Sequence, residues 1–263
     1  MTNAQITDVP AGPVVWTLAE RELVRFFRQR NRVIGALVQP IMFWVLFGTG
    51  LRPNDLDFAF FFPGTLAMIL LFTAIFATIS IIEDRREGFL QSVLVAPAPR
   101  WAMVLGKIVG GAVIALLQAL VFLALGWLTL GLTSSLASVL ASIVLMAVIA
   151  VALTGLGFVI AWRMDSTQGF HAIMSVFLLP RWLLSGSLFP DAPGSWLTWL
   201  SRFNPLTYGV AGLRHYLQFK DSTVDTAALP GLGVCWLVSL TFAAVMLALS
   251  WRMAGTRTTG DLL

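Results

Sequence analysis

The side chains of this 263-residue chain best placed to do chemistry are five consecutive charges, Glu83, Asp84, Arg85, Arg86 and Glu87. Gly88 breaks the run, Phe89, Leu90, Val93 and Leu94 follow at helical spacing, and Pro97 stops the turn. A short helix with apolar residues flanked by charge suits docking into a groove on another protein, whereas a solvated surface loop is the plainer reading of the same residues. Catalysis fits poorly. With two His, one Cys and no paired carboxylates within an apolar run, the chain cannot assemble a zinc centre or an intramembrane protease dyad. The Ser-rich turns have no His or Lys at nucleophile-activating spacing. Gly106-Lys107 is followed by Ile108, and Trp101 stands five positions before Gly106, so no phosphate-cradling Gly-x-x-x-x-Gly-Lys-[Ser/Thr] loop exists.

The charged island, 83–100, sits between two long apolar runs, which fixes the setting. The chain is 58% hydrophobic and 11% charged, with mean hydropathy +0.85, whereas a soluble domain carries about 25% charge. It reads as an all-α polytopic membrane protein of a single domain, 1–263. A net charge of +4 and a pI near 10.0 point to membrane topology and not to nucleic acid, because the basic residues flank apolar runs. Cys235 lies inside such a run, and one cysteine builds no disulfide framework. The first 30 residues hold no apolar h-region, so no cleaved signal peptide is expected.

Six spans are expected, at 33–51, 58–82, 103–130, 136–162, 167–184 and 228–251. The 55 uncharged residues of 108–162 would make a helix of about 80 Å, too long for one crossing. The polar turn at Gly131–Ser135 therefore divides them. Residues 17–32 read as an amphipathic helix in the headgroup region, started by Thr17 with Glu20 as a capping box. Its arginines, Arg21, Arg25, Arg28, Arg30 and Arg32, are available to anionic lipid. Lys107 should snorkel to the interface, and Ser166 should cap the fifth span. Residues 188–208, rich in Trp, Pro and Gly, are too short and apolar for anything but an interfacial or re-entrant element, and Arg214 to Thr226 reads as a polar loop.

An even number of spans puts both termini and the island on one side. That side holds twelve of the 17 Lys and Arg, so it should be cytoplasmic, with a bacterial-type inner membrane as the setting. Among polar residues within spans, Gln168, His171 and Arg181 are the candidates for lining a substrate path, although hydrogen-bonded or interfacial roles explain such residues equally well. Gln118 is a similar case, and the Gly106/Gly110 spacing reads as close helix packing.

The island pattern Glu-x-x-x-Glu-Gly-x-Leu-x-x-Val-Leu-Val-x-Pro, carried by Glu83, Glu87, Gly88, Leu90, Val93, Leu94, Val95 and Pro97, resembles the coupling-helix signature of ABC-2 type permeases. These are membrane subunits of ABC exporters of the drug, lipid and polysaccharide efflux type. Leu184-Ser185-Gly186-Ser187-Leu188-Phe189-Pro190, then Asn204-Pro205-Leu206-Thr207-Tyr208 and Arg214, resembles the fifth span and re-entrant segment of that family. Phe89, Gln91 and Ala96 depart from the residues usual at their positions. The resemblance implies a permease exporting an amphipathic or lipid-linked substrate, with no catalytic residue and no cofactor of its own. ATP and Mg would be bound by a separate ATP-binding subunit, two copies of which would serve a pair of permease chains. The contact to that subunit would be made by Glu83, Arg86, Glu87, Gly88, Phe89, Leu90, Val93, Leu94 and Pro97. Leu90 and Leu94 are expected to face the partner, so that Asp at both would uncouple the complex without unfolding the membrane domain. A membrane anchor that docks a cytoplasmic partner without transport is the alternative.

Overall fold

A computed structural model of the chain describes residues 10–50, 58–187, 196–220 and 229–255. Among them every element is helical, apart from one isolated bridge between Leu132 and Phe219. The helices are α1 (Ala11–Arg28), α2 (Arg30–Gly50), α3 (Phe58–Ala77), α4 (Ile79–Arg86), α5 (Phe89–Val95), α6 (Arg100–Gly126), α7 (Leu136–Ala161), α8 (Thr167–Trp182), α9 (Trp196–Arg202), α10 (Pro205–Tyr216) and α11 (Leu232–Gly255). Among the described residues, five helical stretches are long and apolar enough to cross a membrane: Val33–Gly50, Phe58–Arg86, Arg100–Gly131, Leu136–Ala161 and Leu232–Gly255. The expected span at 167–184 is not among them, because the α-helix there has only 16 residues before it passes into a π-turn at Leu183–Ser187.

Helix α3 is apolar all round, and a helix of that kind belongs in the centre of a bundle. Its residues Phe60 to Leu71 are buried without exception, and it packs on α2, α6, α7, α8 and α10. Span two does not stop at Ile82. It continues as α4 through Arg86, after one tightened step at Thr78, whose backbone N–H and hydroxyl both donate to the carbonyl of Ile75, at 3.0 and 2.6 Å. Ile81 N–H in turn reaches the Thr78 carbonyl at 3.0 Å, so two i→i−3 bonds carry the chain across the interruption between α3 and α4. The charges of the island are thus the last turn of a buried helix and not part of a separate surface helix. Only α5 is separate. Gly88 sits at φ 75°, where a Cβ would be strained, and Ala96 is extended, as the residue before Pro97 must be.

Two sequence expectations about the amino-terminal segment fail. Helix α1 begins at Ala11, after Pro10 and with Pro13 in its first turn, so prolines and not Thr17 set the start. Thr17 lies mid-helix, its hydroxyl donating to the Pro13 carbonyl at 2.8 Å. The segment is also divided, because Gln29 (φ −91°, ψ 74°) leaves the helical region and α2 starts anew at Arg30. The Ser166 cap is present, accepting from Gly169 N–H at 3.2 Å.

Long-range bonds define two ends of the bundle. At one, Arg100 donates to the carbonyls of Ala254 and Gly255, and Arg85 reaches across to the end of α7. At the other, Thr133 N–H donates to Gln218, and Trp236 Nε1 to Tyr216 Oη. The Gly131 turn is formed as expected, at φ 66°. Part of the proposed re-entrant element, residues 188–195, and the turn at 52–57 lie outside the described residues. Its described part is α9 and α10, and α10 runs on to Tyr216. Arg214 is therefore helical and buried, contrary to the polar-loop reading.

Candidate functional site

Four residues of span two's lower end, Ser80, Glu83, Asp84 and Glu87, follow the spacing i, i+3, i+4, i+7 and so share one helix face. Arg21, Glu22 and Arg25 are arranged similarly on α1. The two stripes meet. Arg21 grips Asp84 with both Nη atoms, at 2.9 and 2.8 Å, and Arg25 Nη1 adds a third bond at 2.9 Å. Lys107 from α6 closes on Asp84 and on Glu22 at once and has Ser80 Oγ at 3.4 Å. Four donors thus use the whole accepting capacity of the Asp84 carboxylate, which is fully buried. Burial alone would pull the pKa of Arg21 down, but its hydrogen bond to Asp84 and the neighbouring carboxylates hold it above its ordinary value. Arg21 therefore stays cationic.

Lys107 was expected to snorkel outward. It is 5% exposed and enclosed by α1, because α1 lies directly on the small-residue face of α6. A Cβ at Gly106 would stand 2.7 Å from Leu18 Cβ, and one at Gly110 would stand 2.8 Å from Glu22 Cβ. The Gly106/Gly110 spacing is thus packing, as expected, and what it packs is the amphipathic helix. Glu22 was not singled out from sequence, Lys107 only as a snorkelling residue, and Asp84 only as one of the five island charges and not as a contact residue. The i, i+3, i+4, i+7 polar stripe at the end of an apolar run was the available signal.

Other island residues divide by helix face. Glu83 pairs with Arg25 at 2.7 Å, and Glu87 lies 3.6 Å from it. Arg85 turns the other way, to the Trp162 carbonyl at 2.7 Å and to Asp165 at 3.2 Å. Arg86 is exposed. On α5, Phe89 lies beneath the Arg21 guanidinium, 3.7 Å from ring centroid to Cζ. Leu90 is 3% exposed and belongs to the chain's own core, and Val93 and Leu94 pack partly against that core. The outward face is formed by Gln91, Ser92, Val95, Ala96 and Pro97, with Val95 84% exposed. Of the apolar residues expected to meet a partner, Leu90 therefore points inward, and Val95 is the most prominent outward residue.

The three polar residues proposed for a pathway are not brought together. His171 faces a cleft of about 190 Å³ between α2, α3 and α8, with its ring 5.1 Å from that of Phe76 and with Gln39 of α2 and Thr73 of α3 also lining it. Gln168 is exposed one turn earlier. Arg181 lies ten residues beyond His171, about 15 Å along the helix, stacked 5.2 Å from the Phe177 ring. Gln118 is buried and accepts from the Thr73 hydroxyl at 2.6 Å, a packing role. At the far end, Arg214 donates to the Gly186 carbonyl at 2.8 Å and lies 4.4 Å from the Phe60 ring, while Trp182 Nε1 reaches the Gly64 carbonyl at 2.7 Å. These bonds tie the π-turn and α10 to the start of α3.

The chain is thus a multi-pass helical membrane domain that presents a short helix at one end, braced by ion pairs to an amphipathic helix. The chain belongs to the ABC-2 type transporter family, whose sequence profile matches residues 13–217. It is 30% identical over 179 residues to an Escherichia coli protein named as a probable multidrug ABC transporter permease, YbhR, covering 66% of this chain and 47% of that one. This chain thus spans about half the length of that relative. It is 26% identical over 228 residues to a Cyanophora paradoxa protein named as a transport permease, ycf38, covering 82% of this chain and 77% of that one. The Porphyra purpurea ycf38 protein is 26% identical over 218 residues, 78% of this chain.

Proposed function

We propose that this chain is the membrane subunit of an ATP-driven exporter and that it works as one of a side-by-side pair. Its substrate is amphipathic or lipid-linked, and two ATP-binding subunits dock on α5. The observation that carries this reading is the placement of α5. It hangs from a buried helix that runs through the centre of the domain, and it is fastened sideways to α1 through Arg21 and Phe89. Closure of a nucleotide-bound dimer against Val95 and Pro97 would therefore move α4 and α3 together and open the pathway outward. The multidrug name of the Escherichia coli relative agrees with an amphipathic substrate.

Six crossings fit this scheme, with α8 and its π-turn as the fifth. Helix α8 runs beside α3 from Phe76, opposite His171, to Gly64, opposite Trp182. That is twelve residues of α3, or about 18 Å of depth. Both termini then share the island's side, and the excess of Arg and Lys there supports a cytoplasmic placement. Helix α1 lies at that surface, and α9 and α10 form the re-entrant element on the other.

The test is affinity purification of the tagged chain from its native cell in mild detergent, followed by an ATPase assay. The exporter reading expects a stoichiometric ATP-hydrolysing partner that Val95→Asp removes while the membrane domain still elutes as a single species. An intact domain with no such partner would sink this reading and favour a membrane anchor.

A further inference from the structure

We infer that the α1–α2 elbow is a docking surface for anionic phospholipid, read by Arg28 and Arg30, and that lipid bound there sets the position of α1 against the island. The inference rests on the placement of α1 at the membrane surface proposed above, but not on transport.

The structure divides the arginines of this segment into two groups. Arg21 and Arg25 are committed to Asp84 and Glu83. Arg28 and Arg30, on either side of the Gln29 break, are exposed and make no ion pair with any described residue. Two unpaired guanidinium groups beside one another in sequence, each able to offer a planar fork of donors, match a phosphate diester.

What lies beside them points to a lipid. On the face of α1 turned away from the core, Trp16 is 72% exposed, and Val24 and Phe27 are about half exposed. At 100° per residue these three fall within one quadrant of the helix, which also carries the exposed Glu20, and Arg28 lies about 40° beyond it. Large exposed apolar side chains flanked by unpaired cations, with one carboxylate among them, are the pattern of a helix lying shallowly in the headgroup layer, its cations at the phosphates.

The adjoining flank of the same helix, past Arg28, carries Arg21 and Arg25 and then Glu22, which clamp Asp84 and Lys107. Because one rigid helix bears both surfaces, seating its outer face on anionic lipid also seats the clamp and, through Arg21 on Phe89, the short α5.

The experiment uses the full chain in mild detergent. Native mass spectrometry with equimolar phosphatidylglycerol and phosphatidylcholine should show preferential retention of phosphatidylglycerol. Arg28→Gln/Arg30→Gln should reduce that preference about 10- to 30-fold, at about a kcal/mol per basic residue, with an unchanged melting midpoint. Arg163→Gln, an exposed arginine on the same end but off α1, should leave it unaltered. In vesicles of the two lipids, amide exchange across Phe89–Val95 should be slower with phosphatidylglycerol present, and the double variant should lose that difference. Displacement of the lipid by inorganic phosphate alone would identify a simple anion site and overturn the proposal. So would an unchanged preference in the double variant or an equal loss in Arg163→Gln.

Discussion

Lys107→Met costs the folded domain about 3–5 kcal/mol, because it strips the cation from a site where Glu22 and Asp84 have no water to turn to. The loss is read as the shift in denaturant midpoint of the purified chain at constant slope. Adding Glu22→Met should recover a large part of it. The buried carboxylate orphaned by the first substitution is then gone, while Asp84 keeps Arg21 and Arg25. A double variant no better than the sum of its singles would mean that Lys107 and Glu22 do not act as a pair.

Leu90→Asp and Val95→Asp, five residues apart on one short helix, should behave oppositely. Leu90 is enclosed by the chain's own core, so an aspartate there loses about 1.5–3 kcal/mol of apolar burial and adds an unpaired charge. Val95→Asp places its charge in water and should change stability by less than about 0.5 kcal/mol. Thermal unfolding in detergent separates the two, and equal destabilisation would show that α5 is not seated as described. A Leu90→Asp/Leu94→Asp pair is accordingly a test of folding, and Val95 is the position at which partner binding can be probed cleanly.

Much of the architecture is legible in the sequence because membrane spans announce themselves by length and composition, and turns by Gly and Ser. The division at Gly131, the cap at Ser166 and the break at Gly88 need only local chemistry. The braced cluster is harder to read, since its members lie 23 and 85 residues apart and a lone lysine near the start of a span looks like one that snorkels. Only contact with α1 shows that it cannot. The facing of Leu90 is illegible for a different reason, since seven residues between a left-handed glycine and an extended alanine give too few turns for a periodicity. Thr17 misleads because the capping-box spacing is satisfied within a helix already started by prolines. The buried place of Arg214 depends on a carbonyl freed by the turn at Gly186, which no spacing foretells.

At the tightened step of Thr78, α7 packs directly on span two: a Cβ at Gly157 would stand 2.8 Å from Thr78 Oγ1. On the exporter reading proposed above, α4 and α3 tilting together about that contact would act as a lever, with Gly157 at its fulcrum. The arm below, α4, is about 12 Å long and the arm above, α3, about 30 Å, so a tilt delivered at the short end is magnified about two and a half times at Phe58. On that reading a shift of about an ångström at α5 would reach the Phe58 end as about two and a half.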